Sequence, residues 1–325
     1  MSNVSDYLKW RGDLDFSQAP FNDVDNLILA QIAYVDFTDI VPAPGSIETI
    51  TIAEAADTFF DTHDEKEIKK CKSFIGKAPY LLREAAATKR FGSLILTNYV
   101  DYVDGGKEEQ FAAFHVRIDN RLTYIAFRGT DDTLVGWKED FNMGFVCPVP
   151  AQTLAVSYLE DIAARAPDAP LYVVGHSKGG HNAIYAASVD ARCRAVGFNA
   201  PGFGIFLRWS QLRGLDRGVN YVLNGDVSGF LLFHLERRVV LDSSALPQEG
   251  TNPFTAWHRL DRFFPLDALH TSRQIRLLSV ATEWITQILW LVLVFLVLYK
   301  LLLLGARLMS APFRLLLRRQ ARARA

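Results

Sequence analysis

Residues 171–187, Leu-Tyr-Val-Val-Gly-His-Ser-Lys-Gly-Gly-His-Asn-Ala-Ile-Tyr-Ala-Ala, decide the fold. A short apolar run typical of a buried strand opens the stretch, and an alanine-rich segment typical of a helix closes it. Between them lies a Gly-x-Ser-x-Gly pattern centred on Ser177. In a strand–turn–helix setting this pattern exposes a serine hydroxyl on a sharp, strained turn at the top of a sheet. We therefore predict that Ser177 is a nucleophile; the alternative is an ordinary glycine-rich turn.

The surrounding segments predict an α/β fold. After a mainly helical beginning, three β-rich runs are separated by short turns, which is typical of an antiparallel meander. Strands and helices then alternate, which predicts a mainly parallel sheet covered by helices. The expected helices are 22–34, with a possible cap at Asn22, and 53–62, 79–88, 137–145, 152–164 and 179–187; the expected strands are 93–103, 111–118, 122–127, 171–174, 195–198, 221–223 and 238–241.

Composition and charge exclude several classes of protein. The 325 residues are 50% hydrophobic and 22% charged, close to the averages for globular proteins, which excludes disordered and low-complexity chains. The net charge of −1 excludes a globally basic nucleic-acid binder, although residues 300–325 carry seven basic side chains and no acidic one. The three cysteines include no Cys-x-x-Cys pair, which speaks against a disulfide framework or a structural zinc site and fits a reducing compartment.

The C-terminal segment has the composition of a membrane helix. Residues 284–304 contain a single charge, Lys300, and about 20 apolar residues suffice to cross a bilayer. The alternative, a buried core helix, fits poorly because a soluble helix seldom has apolar residues on every face. No signal peptide is readable at the N-terminus. We expect the rest of the chain to face the cytoplasm, held on the membrane through residues 284–319, with a full span favoured over a helix that enters without crossing.

A serine nucleophile needs an acid and a base, in the chain order Ser, then Asp or Glu, then His. Asp226 is the preferred acid because it follows a predicted strand, and ligand chemistry in open α/β sheets gathers at the carboxyl ends of strands. Asp242, which also follows a strand, is the second choice, and Asp216 is a further candidate.

The base is expected to be His258, which lies in a loop-like stretch after the last predicted strand. His234 follows Asp226 too closely to lie on a separate late loop, and His270 adjoins the apolar segment. His176 and His181 flank the predicted turn and receive no catalytic role.

Two backbone N–H groups are needed to hold the oxyanion. One is expected from Lys178, the residue after the nucleophile. The other is expected from Thr130, because Phe-Arg-Gly-Thr at residues 127–130 ends a strand and turns at a glycine. The alternative for this second segment is a simple turn.

Together these segments resemble the lipase class 3 type of α/β-hydrolase. The resemblance rests on Phe-Arg-Gly-Thr (127–130), Gly-His-Ser-Lys-Gly-Gly (175–180), Phe-Asn-Ala-Pro-Gly (198–202) and the late Asp226 and His258. The sequence is more similar still to a bacterial family of unknown function called Mbeg-like, whose N-terminus resembles residues 7–13 and 26–37. Class 3 lipases commonly have Leu where this chain has Lys178, so a charged side chain is expected beside the nucleophile.

The resemblance implies a serine hydrolase of carboxyl esters with no metal and no organic cofactor. The adjoining apolar segment favours a lipid or acyl-ester substrate, and no nucleic-acid partner is expected. Two alternatives stay open: a membrane-tethered scaffold that keeps the fold without activity, and a thioesterase or peptidase with the same triad. The expected division is a helical N-terminal part (1–90), a catalytic core (91–270), the membrane helix (284–304) and an Arg-rich tail (305–325).

Overall fold

A computed structural model describes most of the first 241 residues and part of a C-terminal helical segment. The described residues are 4–70, 75, 77–106, 109–118, 122–130, 142–204, 213–224, 226, 228–241, 284–285, 288–289, 291–293 and 295–302. The chain divides into two compact units, Met1–Ser279 and Val280–Ala325.

The first unit consists of an eight-stranded sheet and helices. The strands are β1 (Ile50–Thr51), β2 (Ile95–Asp104), β3 (Glu109–Arg117), β4 (Thr123–Phe127), β5 (Leu171–His176), β6 (Cys193–Phe198), β7 (Gly218–Leu223) and β8 (Arg237–Leu241). The described α-helices are α1 (Val4–Arg11), α2 (Asp23–Ile32), α3 (Ile52–Thr62), α4 (Glu65–Lys70), α5 (Ala78–Ala86), α6 (Pro150–Arg165) and α7 (Lys178–Ala187).

The order of strands in space follows the order in the chain, from β1 to β8. The pairs from β1 to β4 are antiparallel, and the pairs from β4 to β8 are parallel. The predicted antiparallel meander and the predicted parallel sheet are both confirmed. The carboxyl ends of β4 to β8 therefore lie along one edge of the sheet, where the chain leaves each strand.

Both faces of the central sheet are buried. Along β4, Tyr124 and Ala126 pack with the N-terminal helices, while Ile125 and Phe127 pack with α6 and α7. Alternate residues of a strand point to opposite faces, so a strand covered on both sides is apolar along its whole length. This is why the sequence around Ala126 reads as a continuous apolar run.

Specific polar contacts cap the start of α2. Asn22 caps α2 as predicted: its side chain accepts hydrogen bonds from the N–H groups of Val24 (2.8 Å) and Asp25 (3.3 Å), and the Asp25 carboxylate accepts from the Asn22 N–H (2.9 Å). This reciprocal arrangement is a capping box, which satisfies backbone donors that the first helical turn leaves unpaired.

A buried ion pair ties this helix start to the segment before β2. The Arg90 guanidinium donates to Asp25 Oδ1 at 2.8 Å and to the carbonyl of Ala19 at 3.0 Å, and both charged side chains are fully buried. The Tyr7 hydroxyl donates to the same carboxylate at 3.1 Å. Burial and the Asp25 charge raise the pKa of Tyr7 to about 12.

The second unit is helical where it is described. Its apolar side chains are exposed, among them Trp284, Leu289, Phe295 and Leu302. Among the described residues, no helix is both long enough and apolar enough to cross a membrane. The transmembrane helix predicted over residues 284–304 is therefore not supported by the part of the chain that the structure describes.

We predict that Arg90→Met lowers the free energy of unfolding by about 3–5 kcal/mol, because it leaves the Asp25 carboxylate buried and unpaired. The neighbouring Lys89 forms an exposed ion pair with Asp15 at 2.9 Å, and Lys89→Met is the matched control. Urea unfolding of the two variants measures the difference. Equal stability of the two variants would contradict a structural role for the buried pair.

Candidate active site

Ser177 lies on a strained turn between β5 and α7. Its φ is +54° and its ψ is −127°, a backbone conformation that non-glycine residues rarely adopt. Its N–H donates to the carbonyl of Phe198 at the end of β6 (2.9 Å), and its carbonyl accepts from the N–H of His181 (3.0 Å). Backbone strain of this kind persists only where the surroundings enforce it, and it is concentrated at functional sites. The predicted strand–turn–helix geometry of the motif is confirmed.

Glycines hold this turn against the strands. A Cβ at Gly179 would overlap the carbonyl oxygen of Phe127, and a Cβ at Gly175 would overlap the backbone of Gly179. A Cβ at Gly180 would lie 2.8 Å from the Gly175 oxygen and 2.9 Å from Cβ of Ala200. The first turn of α7 therefore sits directly on the ends of β4, β5 and β6, at a distance that only glycine permits.

The segment after β4 is equally close to the turn. A Cβ at Gly129 would overlap the hydroxyl of Tyr34 and would lie 2.5 Å from the carbonyl oxygen of His176. A hydrogen bond of 2.8 Å joins the Tyr34 hydroxyl to Nδ1 of His176. Tyr34, which lies just after α2, therefore contacts both the segment after β4 and the last residue of β5. Thr130, which follows Gly129 in the sequence, is buried. The structure thus brings the predicted oxyanion segment next to the residue that precedes Ser177.

The side chain of Lys178 is buried in the interior of the protein. Only 1% of the residue is exposed, and its Nζ donates to Oε1 of Gln110 at 2.6 Å. Gln110 stands at the start of β3, and its Nε2 donates to the Gly129 carbonyl at 3.4 Å. The cationic side chain expected beside Ser177 therefore points into the interior of the protein, toward β3.

Asp226 lies three residues beyond the carboxyl end of β7 and is 1% exposed. Its Oδ2 accepts a hydrogen bond from the N–H of Gly229 at 2.6 Å. Asn199, with a φ of +49°, steadies this end of the strand because its Oδ1 accepts from the N–H of Leu223 at 2.9 Å. The preferred acid therefore has a buried, fixed position at the same sheet edge as Ser177.

A buried histidine supports the loop after β6. Gln152 Nε2 lies 2.7 Å from His181 Nε2, and His181 Nδ1 lies 3.2 Å from the carbonyl of Pro201. Because Gln152 Oε1 already accepts from the Val149 N–H, its Nε2 donates to the ring, and His181 Nδ1–H donates to Pro201. Burial lowers the pKa of His181 to about 4, so the ring is neutral at pH 7.

A second buried cluster surrounds Glu236. Its Oε1 lies 2.6 Å from His234 Nδ1 and accepts from Asn220 Nδ2 at 3.1 Å. Burial raises the pKa of Glu236, but the His234 charge and hydrogen bond outweigh that effect, so the net direction is downward. Asn220 also exchanges two hydrogen bonds with the backbone of Ala200, at 2.8 and 3.2 Å. The cluster therefore anchors the β6 exit loop to β7.

The structure locates most of the predicted site residues. Thr130 follows the carboxyl end of β4, Ser177 and Lys178 follow that of β5, and Asp226 follows that of β7, all at the same edge of the parallel part of the sheet. Asp216 lies before β7, at the opposite edge from Ser177. The preferred base His258 and the alternatives Asp242 and His270 lie outside the described residues.

Sequence reasoning missed the supporting residues Tyr34, Gln110 and Asn199. Two of them lie in segments that carry the family resemblance: Asn199 in Phe-Asn-Ala-Pro-Gly (198–202) and Tyr34 in residues 26–37. Gln110 lies in neither segment. Within the described part of the chain, no group of three or more His, Cys, Asp or Glu side chains is arranged to hold a metal ion.

Comparison with known proteins gives one family and several distant structures. Residues 85–289 match the sequence profile of the Mbeg1-like family. Curated proteins show no match to the sequence. A mutant form of MDLA from Penicillium cyclopium aligns with 14% identity and a TM-score of 0.43, over 75% of this chain and 82% of that one.

A structure described as fungal lipases aligns with 14% identity and a TM-score of 0.40, over 69% of this chain and 79% of that one. The M37 lipase aligns with 14% identity and a TM-score of 0.35, over 63% and 68% of the two chains. Identities this low do not transfer a function.

We predict that Gly129→Ala destabilises the protein by about 1–3 kcal/mol or more, because the new methyl group meets the Tyr34 hydroxyl and the His176 carbonyl. Gly106→Ala is the control, since its Cβ meets only a side-chain oxygen of Asp104, at 3.2 Å. Thermal unfolding of both variants measures the effect. A Gly129→Ala protein as stable as wild type would contradict the close approach described above.

Proposed function

The chain belongs to the Mbeg1-like family, and on the geometry of its site we propose that it is a serine hydrolase that cleaves carboxyl esters. One observation carries the proposal: Ser177 has a φ of +54° at the junction of a buried parallel strand and a helix N-terminus. A serine held in this way presents its hydroxyl above the sheet edge, which is the geometry that a nucleophilic serine requires.

The proposed reaction follows the usual division of labour in a triad. Ser177 Oγ attacks the ester carbonyl carbon while His258 takes its proton. The tetrahedral intermediate then expels the alcohol, which receives that proton, and leaves an acyl group on Ser177. Water, deprotonated by His258, then attacks the acyl carbon and releases the carboxylic acid, while His258 returns the proton to Ser177 Oγ.

Asp226 is proposed to orient His258 and to stabilise its cationic form. Its burial and its hydrogen bond from the Gly229 N–H support this role, because a carboxylate held in one position directs an imidazole more strictly than a mobile one does. The position after β7 also agrees with the expected order of triad residues along the chain.

The N–H groups of Thr130 and Lys178 are proposed to hold the oxyanion. The contact between Gly129 and the His176 carbonyl supports this assignment, since it keeps the loop after β4 against the turn that carries Ser177. Donors fixed before the reaction stabilise developing negative charge without reorganisation, which is the largest single contribution in many enzymes.

A lipid or acyl ester is the proposed substrate class, with the protein held at a membrane through residues 284–319 and the catalytic part facing the cytoplasm. The support is the sequence pattern and the exposed apolar side chains of the second unit, such as Trp284 and Phe295. Exposed apolar patches of this kind mark interaction or membrane-binding surfaces.

We predict that Ser177→Ala abolishes hydrolysis of p-nitrophenyl esters, with a loss of about 10⁴-fold or more, and abolishes labelling by a fluorophosphonate probe. The fold should be retained because alanine removes a single oxygen atom. Ser188→Ala, a change of another buried serine at the end of α7, is the matched control. An unlabelled wild-type protein would instead favour a non-catalytic scaffold.

Substitution of the proposed base and acid should also reduce activity. His258→Ala should be nearly as damaging as Ser177→Ala, and the double mutant little worse, because triad members act as a unit. Asp226→Asn should reduce kcat more than Asp242→Asn, and His270→Ala should have a small effect. Steady-state kinetics of these variants decides each comparison, and a reversed order moves the role to the other residue.

Removal of residues 284–325 should release a soluble protein that keeps its esterase activity. A shorter deletion of residues 305–325, which keeps the apolar segment, should leave the protein bound to membranes. Sedimentation with membranes at high salt and an activity assay measure both outcomes. Continued sedimentation of the longer deletion would contradict attachment through this segment.

A further inference from the structure

A buried chain of hydrogen bonds links the two proposed oxyanion donors. Nζ of Lys178 donates to Oε1 of Gln110 at 2.6 Å, and Nε2 of Gln110 donates to the carbonyl of Gly129 at 3.4 Å. Lys178 and Gln110 are each only 1% exposed. These two hydrogen bonds thus connect the residue after the proposed nucleophile, through a side chain of β3, to the loop after β4.

Chemistry determines the orientation of the Gln110 amide. An ammonium group has only donors and a backbone carbonyl only accepts, so Oε1 has to face Lys178 and Nε2 has to face Gly129. With the reverse orientation, the amide nitrogen would meet the lysine and the amide oxygen would meet the carbonyl. Lys178 therefore selects the orientation in which Gln110 can bond to Gly129.

The Gly129 carbonyl belongs to the same peptide unit as the Thr130 N–H. A trans peptide is planar, and its C=O and N–H point in opposite directions. A hydrogen bond to the carbonyl from the Gln110 side therefore aims the Thr130 N–H away from Gln110.

We propose that the Lys178 side chain, acting through Gln110, positions the Thr130 N–H for the oxyanion. This inference rests on the proposed function and extends it. Lys178 then serves both halves of the oxyanion hole, with its own backbone N–H as one donor and with its side chain as the support of the other. Lys178 is in this respect a positioning residue, and so is Gln110.

The methylene groups of Lys178 fill buried space, whereas its ammonium group donates the hydrogen bond to Gln110. An apolar side chain such as Met fills a similar volume but donates nothing to Gln110 Oε1, so the amide loses one of the two hydrogen bonds that hold it against Gly129. A misplacement of about 1 Å in a catalytic group can cost about 10²-fold in rate. The effect should fall on kcat, because the oxyanion forms in the transition state and not in the bound ester.

The test uses the full-length protein with p-nitrophenyl butyrate and two variants. Lys178→Met removes the donor to Gln110. Gln110→Glu keeps an acceptor for Lys178, but it places a carboxylate oxygen against the Gly129 carbonyl, where a donor is needed. We expect kcat to fall about 10- to 100-fold in both variants, while KM changes less than about threefold.

Gln31→Glu is the matched control. Gln31 is buried like Gln110 but lines a separate cavity of about 400 Å³ with Val4, Lys77 and Tyr80. This variant should keep the wild-type kcat whatever its effect on the melting temperature. The comparison separates loss of positioning from a general loss of stability.

Binding of an alkyl trifluoromethyl ketone gives a second readout. Ser177 Oγ adds to its carbonyl carbon, the carbonyl oxygen becomes an oxyanion, and the base takes the serine proton. Its inhibition constant should rise about 10- to 100-fold in Lys178→Met and Gln110→Glu, in step with the fall in kcat.

Unchanged kcat and unchanged ketone inhibition in these two variants, with an active wild type and an inactive Ser177→Ala, would overturn the positioning role and leave the hydrolase assignment intact. A rise in KM at constant kcat would overturn it as well, since it would indicate a role in ester binding. An inactive wild type would overturn the proposed function, and this inference with it.

Discussion

The close contact between the start of α7 and the ends of β4 and β5 is the constraint on which the site depends. A side chain at Gly179 would overlap the Phe127 carbonyl, and one at Gly175 would overlap Gly179 itself. With the helix held this near, the chain can pass from β5 into α7 only through a sharp turn, and Ser177 takes the strained conformation at its apex. The strain is maintained because relaxing it would require the helix to move away from the sheet, at the expense of a buried apolar interface.

The helical N-terminal part contributes to the same site from the other face of the sheet. Tyr34, just beyond α2, bonds to His176 and packs against Gly129, so it supports both the turn at Ser177 and the loop after β4. The start of α2 is itself held by its capping box and by the buried pair of Asp25 and Arg90. The family match begins at residue 85, yet these supports include residues that precede it. The arrangement of the loops around Ser177 therefore depends on the N-terminal helices as well as on the matched region.

Buried polar groups hold the remaining loops of the sheet edge in one arrangement. Gln152 and His181 fix the loop after β6 through the Pro201 carbonyl, and Asn220 with Glu236 fixes it through Ala200. Buried polar groups are costly when unpaired, so a largely satisfied network favours a single loop conformation over alternatives. This makes the environment of Ser177 rigid, which suits a reaction in which donors must be in place before charge develops.

The amino-acid sequence was sufficient to predict the meander, the parallel sheet, the turn at Ser177 and the position of Asp226 after a strand. Those features depend on local patterns: apolar runs, alternation of strands and helices, and glycines beside a serine. Sequence missed α1, β1 and α4, which are short or weakly patterned. It also could not indicate that Lys178 points inward to Gln110, or that Tyr34 meets His176, since these pairs are 68 and 142 residues apart. Only the packing of the sheet against its helices brings such residues together, because the direction of a side chain depends on which surfaces the fold buries.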